Sequence, residues 1–184
     1  MPGGVANEGL LQAMPLYKSI SDTITRKRNK ALGYIPGEIN DIPDSIKKDR
    51  QGRPFFRIDT GIDDEERIVI FAAENKRMAI QEKKNLLIDA TFKSCPKEFC
   101  LLLIFHVYFL GRYWPLAYVL MKTKTEAAYT KAFSSIKELF GLSPDMIVID
   151  FEKALGNALR KVFCAKIQLC YFHVGQSIQR KLRP

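Results

Sequence analysis

Apolar residues in this chain recur with two periods, and the change from one to the other marks the elements. Leu10, Leu11, Met14, Ile20 and Ile24 fall at partly helical intervals and predict a helix between Leu10 and Leu32, closing on the basic cluster Arg26, Lys27, Arg28 and Lys30. Residues 1–8, with Pro2, Gly3 and Gly4, offer little to bury. Gly33, Pro36, Gly37, Pro43, Gly52 and Pro54 then interrupt any regular pattern, so 33–54 reads as a linker or extended arm, and 1–54 as an N-terminal extension. Two short runs, Phe55 to Ile58 and Arg67 to Ala73, are rich in aromatic and β-branched residues. They flank the acidic turn Asp63, Asp64, Glu65, Glu66, which predicts a hairpin. A polar helix is expected over 74–84, so that 55–85 leads into the remainder.

From residue 86 the pattern is dense. Leu86 to Phe92, Phe99 to Leu110 and Tyr113 to Met121 predict three consecutive strands, the last two meeting across Gly111 and Arg112. Ala128, Tyr129, Ala132, Phe133, Ile136, Leu139 and Phe140 form the i, i+3, i+4, i+7 stripe of a helix lying on a sheet, stopped at Gly141. A strand at Met146 to Ile149, a helix at Glu152 to Phe163, a strand at Lys166 to Cys170 and a basic helix at His173 to Leu182 complete the order β-β-β-α-β-α-β-α over 86–184. The expected class is α/β, with a mixed sheet.

Composition narrows the alternatives. With 184 residues, 47% hydrophobic and 27% charged, the chain holds one domain and an extension, and is neither disordered, collagen-like nor a coiled coil. The net charge of +9 is uneven: residues 1–85 carry 15 basic and 13 acidic groups, residues 86–184 carry 14 and 7. The second half is therefore where a polyanion would bind. Cys95, Cys100, Cys164 and Cys170 are irregularly spaced in a chain too large to need disulfide staples, and no signal-peptide pattern opens the sequence, which points to a reduced, intracellular protein. The longest apolar run, Phe99 to Gly111, is interrupted by His106 and is shorter than the ~20 residues that cross a bilayer, so no membrane span is expected.

Two acids stand in matching contexts: Asp89 in LLIDATF and Asp150 in MIVIDFEKA. A carboxylate at a buried strand is costly to desolvate unless a positive group compensates it, and a divalent metal would. The first and fourth strands of a β-β-β-α-β sheet can be neighbours, so both acids could share Mg²⁺ through hard oxygen ligands, the RNase H-like arrangement. The competing reading makes Asp150 the N-cap of the following helix. Spacing alone leaves both open.

In order along the chain, IDATFK (88–93), PKEF (96–99), PLAYVLM (115–121), Tyr129, IDFEKA (149–154) and CYFHVGQSIQRK (170–181) resemble the transposase domain of Mutator-like elements. FFRID (55–59) and RIVIFA (67–72) resemble the segment that leads into it. The resemblance implies a DDE/D-type RNase H-like core that cuts and joins DNA with two Mg²⁺ or Mn²⁺ ions. Asp89 and Asp150 would be the first two catalytic and metal-binding acids, and DNA the partner. It implies a nuclear protein, and leaves self-association as a homo-oligomer open. The third acid, a Glu, would follow the CxxH pair beyond Pro184, so the core is expected to be C-terminally truncated and weak or inactive as a nuclease. Glu152, two residues after Asp150, is set aside as a first-turn acid serving the helix dipole.

Cys170 and His173 match the CxxH motif. Two ligands cannot hold a structural zinc, and the spacing of Cys100, Cys164 and His106 is not that of a finger, so the pair either packs or helps near the DNA end. Lys93, Arg180 and Lys181, with Lys97, Arg160, Lys161, Arg183 and the cluster near residue 26, are candidate phosphate contacts. Ala90 stands where the family usually has Gly. Tyr113 and Trp114 are expected to anchor the sheet. The remaining alternatives are a non-catalytic nuclear nucleic-acid-binding module, a fragment without a role, and an incomplete piece of a longer, active transposase.

Overall fold

The computed structural model describes residues 22–23, 26–27, 42–73, 85–92, 95–150, 152–171, 175 and 179. Contacts divide the chain into Met1–Gly37 and Glu38–Pro184, not after residue 54. In the first unit Asp22, Thr23, Arg26 and Lys27 are helical, within the helix expected there. The helices expected over 74–84 and 173–182 lie outside the described residues, apart from Gly175 and Gln179, which are helical.

The second unit is built on one seven-stranded mixed sheet. Its elements are α1 (Asp44–Lys47), β1 (Phe56–Asp59), β2 (Ile68–Ala72), β3 (Asn85–Thr91), β4 (Leu101–Phe109), β5 (Arg112–Met121), α2 (Glu126–Phe140), β6 (Met146–Ile149), α3 (Lys153–Val162) and β7 (Lys166–Leu169). The strand order is β1-β2-β5-β4-β3-β6-β7. β3, β4 and β5 form the expected antiparallel meander, whereas β3–β6 and β6–β7 pair in parallel. A parallel neighbour cannot be reached by a tight turn, and α3 supplies the crossover from β6 to β7.

Side-chain alternation explains the main core. Leu101, Leu103, Phe105 and Val107 of β4 are buried together with Leu86 and Ile88 of β3 and Ile147 and Ile149 of β6, all on one face. That face receives Ala128, Tyr129, Ala132, Phe133 and Ile136 of α2 and Leu155, Ala158 and Leu159 of α3. Phe133 sits at the centre, its ring 5.8 Å from Phe105, 6.0 Å from Tyr129 and 6.4 Å from Phe163. Helix α2 begins at Thr125, whose Oγ1 accepts from the Ala128 N–H at 3.0 Å. It ends at Gly141, which adopts φ 65°, a left-handed conformation that glycine reaches without strain.

The linker expected over 33–54 is different in its described part. Ile42 is buried, and with Ile46, Phe55 and Phe56 it covers Val69, Phe71 and Phe99 on the other face of the sheet. Proline and glycine exclude a strand interior, but they do not prevent the apolar residues between them from packing. Asp49 organises the turn, accepting from the N–H groups of Gln51 and Arg53 at 2.9 Å each, and Lys48 bridges to Pro54. The β1–β2 hairpin is present as expected, and its ends are tied by the Arg67 guanidinium donating to Asp59 at 2.9 and 2.6 Å. Its acidic turn is held to α2: Lys131 Nζ donates to Asp64 at 2.7 Å and Thr125 Oγ1 to Glu66 at 2.5 Å. No helix of the described residues is long and apolar enough to cross a membrane.

Candidate functional site

Strand register sets the relation between the two acids. β3 and β6 pair as Asn85 with Met146, Leu86 with Ile147 and Leu87 with Val148, a constant separation of 61 positions. Asp89 and Asp150 have the same separation, so they stand at one level on neighbouring strand ends, two residues past the last ladder pair. Neighbouring strands run about 4.8 Å apart where they pair. Alternation puts both on one face: Leu86 and Ile88, and Ile147 and Ile149, enter the helix-side core, so Asp89 and Asp150 take the opposite side. Both are half-buried.

The row continues into β7. Ile149 pairs with Leu169, and the Cys170 N–H donates to the Ile149 carbonyl at 2.7 Å, one step beyond the strand. Cys170 is thus level with Asp150, half-buried and not in a disulfide. On the other side of β3, His106 is paired with Leu87 and Ile104 with Asp89, which places His106 on the same face one pleat away. His173, Lys93, Arg180 and Lys181 lie outside the described residues, as do Arg28, Lys30 and Arg183. Lys97, Arg160, Arg26 and Lys27 are exposed. Lys161 is exposed but engaged with Glu126, and both Arg160 and Lys161 occupy the last turn of α3, whose first turn follows Asp150.

Glu152 belongs to the opposite side. The buried Tyr129 hydroxyl donates to its Oε2 at 2.9 Å, and burial, then the adjacent carboxylate, raises the Tyr129 pKa. The contact fastens α2 to the start of α3. Glu152 is also the residue that precedes the first turn of α3, so Asp150 is not the N-cap of that helix. The N-cap reading of Asp150 is thereby corrected.

Two features were not visible in the sequence. Lys124 Nζ lies 4.1 Å from the centroid of the Phe92 ring, and Phe92, just beyond β3, is 47% exposed. A cation and an open aromatic face therefore stand at the same end of the sheet as Asp89; nothing in the spacing of residues 92 and 124 signals this. Tyr113 and Trp114, expected to anchor the sheet, are paired with Tyr108 and Val107 of β4 and are 40% and 42% exposed; the pairing of β2 with β5 ends at Ala117.

Oxygen donors on adjacent strand ends suit a hard divalent ion, and the Cys170 thiol does not. Among the described residues no group of three or more His, Cys, Asp or Glu side chains is placed to hold an ion together. The pair fits the chemistry of such a site and falls short of a complete ligand set.

Comparison with family models matches the MULE transposase domain over residues 85–177, half of the chain and the span from the first residue of β3 to beyond β7. The chain belongs to the MULE transposase domain family. Both acids and the CxxH pair of this MULE domain fall inside the match, as do β3 to β7. Comparison with curated proteins finds no match. Among solved structures, a chain of the simian T-cell lymphotropic virus intasome in complex with PP2A regulatory subunit B56 gamma is similar at 15% identity and a TM-score of 0.35. That similarity covers 54% of this chain and 39% of the intasome-complex chain.

Proposed function

We propose that residues 85–177 form an RNase H-like transposase core that engages DNA, with Asp89 and Asp150 as two carboxylate ligands of Mg²⁺ or Mn²⁺. The observation that carries the reading is the parallel register of β3 and β6, whose last pair is Leu87 with Val148 and which, carried on by two residues, sets Asp89 beside Asp150, inside a matched MULE domain. The order β5-β4-β3-β6-β7, three antiparallel strands followed by two parallel ones, supports the RNase H-like class. Bound metal ions would activate a water or 3′-hydroxyl and stabilise the leaving oxygen at a phosphodiester. The protein's part is to hold the two carboxylates level on neighbouring strands and to bind phosphates through Lys93, Arg180 and Lys181, with Cys170 beside the row and His173 as a further contact to the DNA end. The nucleus, where DNA is found, is the proposed place of action, and pairing of two copies on DNA a proposed state.

A second reading, a nucleic-acid-binding module without catalysis, is favoured by one observation. Residues 86–184 carry 14 basic and 7 acidic groups, a surplus that binds a polyanion whether or not a phosphodiester is cut.

Titration with Mn²⁺, followed by paramagnetic broadening of backbone resonances, separates the readings. Broadening centred on β3 and β6 ends, abolished by both Asp89→Asn and Asp150→Asn and unchanged by Glu152→Gln, supports the metal site. Salt-sensitive duplex binding without any Mn²⁺ response would leave the binding module. A chain that binds neither Mn²⁺ nor DNA would defeat both.

A further inference from the structure

The β4–β5 hairpin extends past its neighbours. Pairing of β3 with β4 runs no further than Leu86 with Val107, and pairing of β2 with β5 no further than Ala72 with Ala117. Tyr108 to Trp114 therefore continue as a two-stranded ribbon, without a flanking strand among the described residues. Its turn is Leu110–Gly111, both at positive φ, 49° and 78°. This left-handed pair suits the twist of a two-residue hairpin, but the first position favours Asn, Asp or Gly, and a leucine there is strained. Leu110 is nevertheless 77% exposed. The sequence thus places a bulky apolar side chain at a position where a polar one would fit the backbone better and meet water at less cost.

The surroundings are aromatic and ordered. Tyr108 and Tyr113 pack edge to face at 5.2 Å, with 42% and 40% of their surface exposed. Trp114 donates its indole N–H to the Phe109 carbonyl at 3.2 Å, and the Arg112 guanidinium lies 5.6 Å from its ring centroid. The ring positions are fixed before any ligand arrives, so little conformational entropy remains to be lost on binding. From Phe99 to Thr125 the chain contains no acid, and Arg112 is the charged residue of the tip.

We infer that this ribbon is a second DNA-contacting element, inserting into a groove of duplex DNA with Leu110 as an apolar wedge against base steps and Arg112 on the adjacent phosphate. Two-stranded ribbons are among the elements that enter the minor groove, and an apolar wedge beside arginine is the combination that unstacks base pairs there. The acid-free tip of a chain with net charge +9 complements a polyanion. An apolar pocket on a protein partner would accept Leu110 but would gain nothing from the absence of acids over 26 successive positions, 100–125. Leu110 lies six residues along β4 from Ile104, the partner of Asp89, or roughly 20 Å at the rise of an extended strand. The ribbon therefore grips DNA flanking the carboxylate row, not the phosphodiester beside it. The inference rests on the reading of this chain as a DNA-binding transposase core.

Trp114 is the single tryptophan, so its emission reports on the tip. The full chain is titrated with a labelled mixed-sequence duplex, following duplex anisotropy and Trp114 emission together. The expected result is a Trp114 change that saturates with the anisotropy. Leu110→Asn, which suits the left-handed turn, should keep or raise the melting temperature while weakening the duplex affinity roughly tenfold, the scale of one leucine left unburied. Arg112→Gln should lower the slope of log affinity against log salt by about one. Duplex binding with Trp114 emission unchanged and Leu110→Asn neutral would overturn the ribbon and leave the DNA-binding core standing. Absence of duplex binding would overturn both. Self-association without DNA that Leu110→Asn abolishes, at unchanged duplex affinity, would make the tip a protein-docking site and also overturn the inference.

Discussion

The two faces of the sheet at β3, β4 and β6 differ in almost every physical respect. On the helix side, Leu86, Ile88, Leu103, Phe105 and Ile147 are buried against α2 and α3. On the other side Leu87, Asp89, Leu102, Ile104, His106, Val148 and Asp150 are only half-buried, and the second cover from Ile42 to Phe56 reaches the β2 and β5 end. Alternation along a strand makes this segregation possible: successive residues of one strand serve stability on one face and chemistry on the other. A carboxylate can stand on a strand deep in the fold because its own face keeps contact with water, which lowers its desolvation cost.

The comparison predicts a graded response to substitution. Phe133→Ala, at the centre of the helix-side face, should cost about 3–5 kcal/mol in chemical denaturation; a loss under ~1 kcal/mol would mean that this face is not the principal core. Asp59→Ala should cost about 3 kcal/mol, because it removes the carboxylate that accepts two hydrogen bonds from the buried Arg67 guanidinium, and Arg67→Met with Asp59→Ala together should recover much of it. Tyr129→Phe should lose about 1 kcal/mol, since one hydrogen bond to Glu152 disappears, and should leave any Mn²⁺ response untouched if Glu152 belongs to the packed side.

A smaller effect concerns pH. The Lys131 ammonium, then the Thr60 hydroxyl, hold the Asp64 carboxyl down to about 2. A depressed folded-state pKa contributes stability that is present above the ordinary carboxylate range near 3.8 and is lost as pH falls through about 2. Asp64→Asn should therefore be less stable than the parent at neutral pH, with the difference shrinking between those two values in thermal melts. Smallest of all, Asp89→Asn should leave stability nearly unchanged, since it keeps the shape of a half-buried side chain; a large loss would make Asp89 a structural residue and weaken the metal reading.

Much of the architecture was legible in the sequence. The meander, the α2 stripe with its Thr125 and Gly141 ends, and the two short strands flanking α3 all follow from local periodicity and turn chemistry, which act over a few residues. Glu152 is not the first-turn acid that its position two residues after Asp150 suggests: it is the N-cap residue of α3 and its partner, Tyr129, lies 23 positions away. The segment before Phe55 was read as a linker because Gly and Pro dominate local propensity, while Ile42, Ile46 and Phe55 carried a weaker signal of burial. Pattern places Tyr113 and Trp114 in a strand but does not tell that pairing with β2 stops at Ala117.

The sequence by itself determined which residues are apolar at which period, the chemical type of each candidate ligand, and a family pattern spread over the second half of the chain. Tertiary structure alone decided that β3, β6 and β7 pair in a register that brings positions 89, 150 and 170 level, that Glu152 bonds to Tyr129 of the packed face, and that residues 108–114 run past the last described pairs with β2 and β3. The reason is physical: period and propensity are set by covalent neighbours, whereas register and sheet order are set by contacts between residues tens of positions apart, whose energies no local window contains.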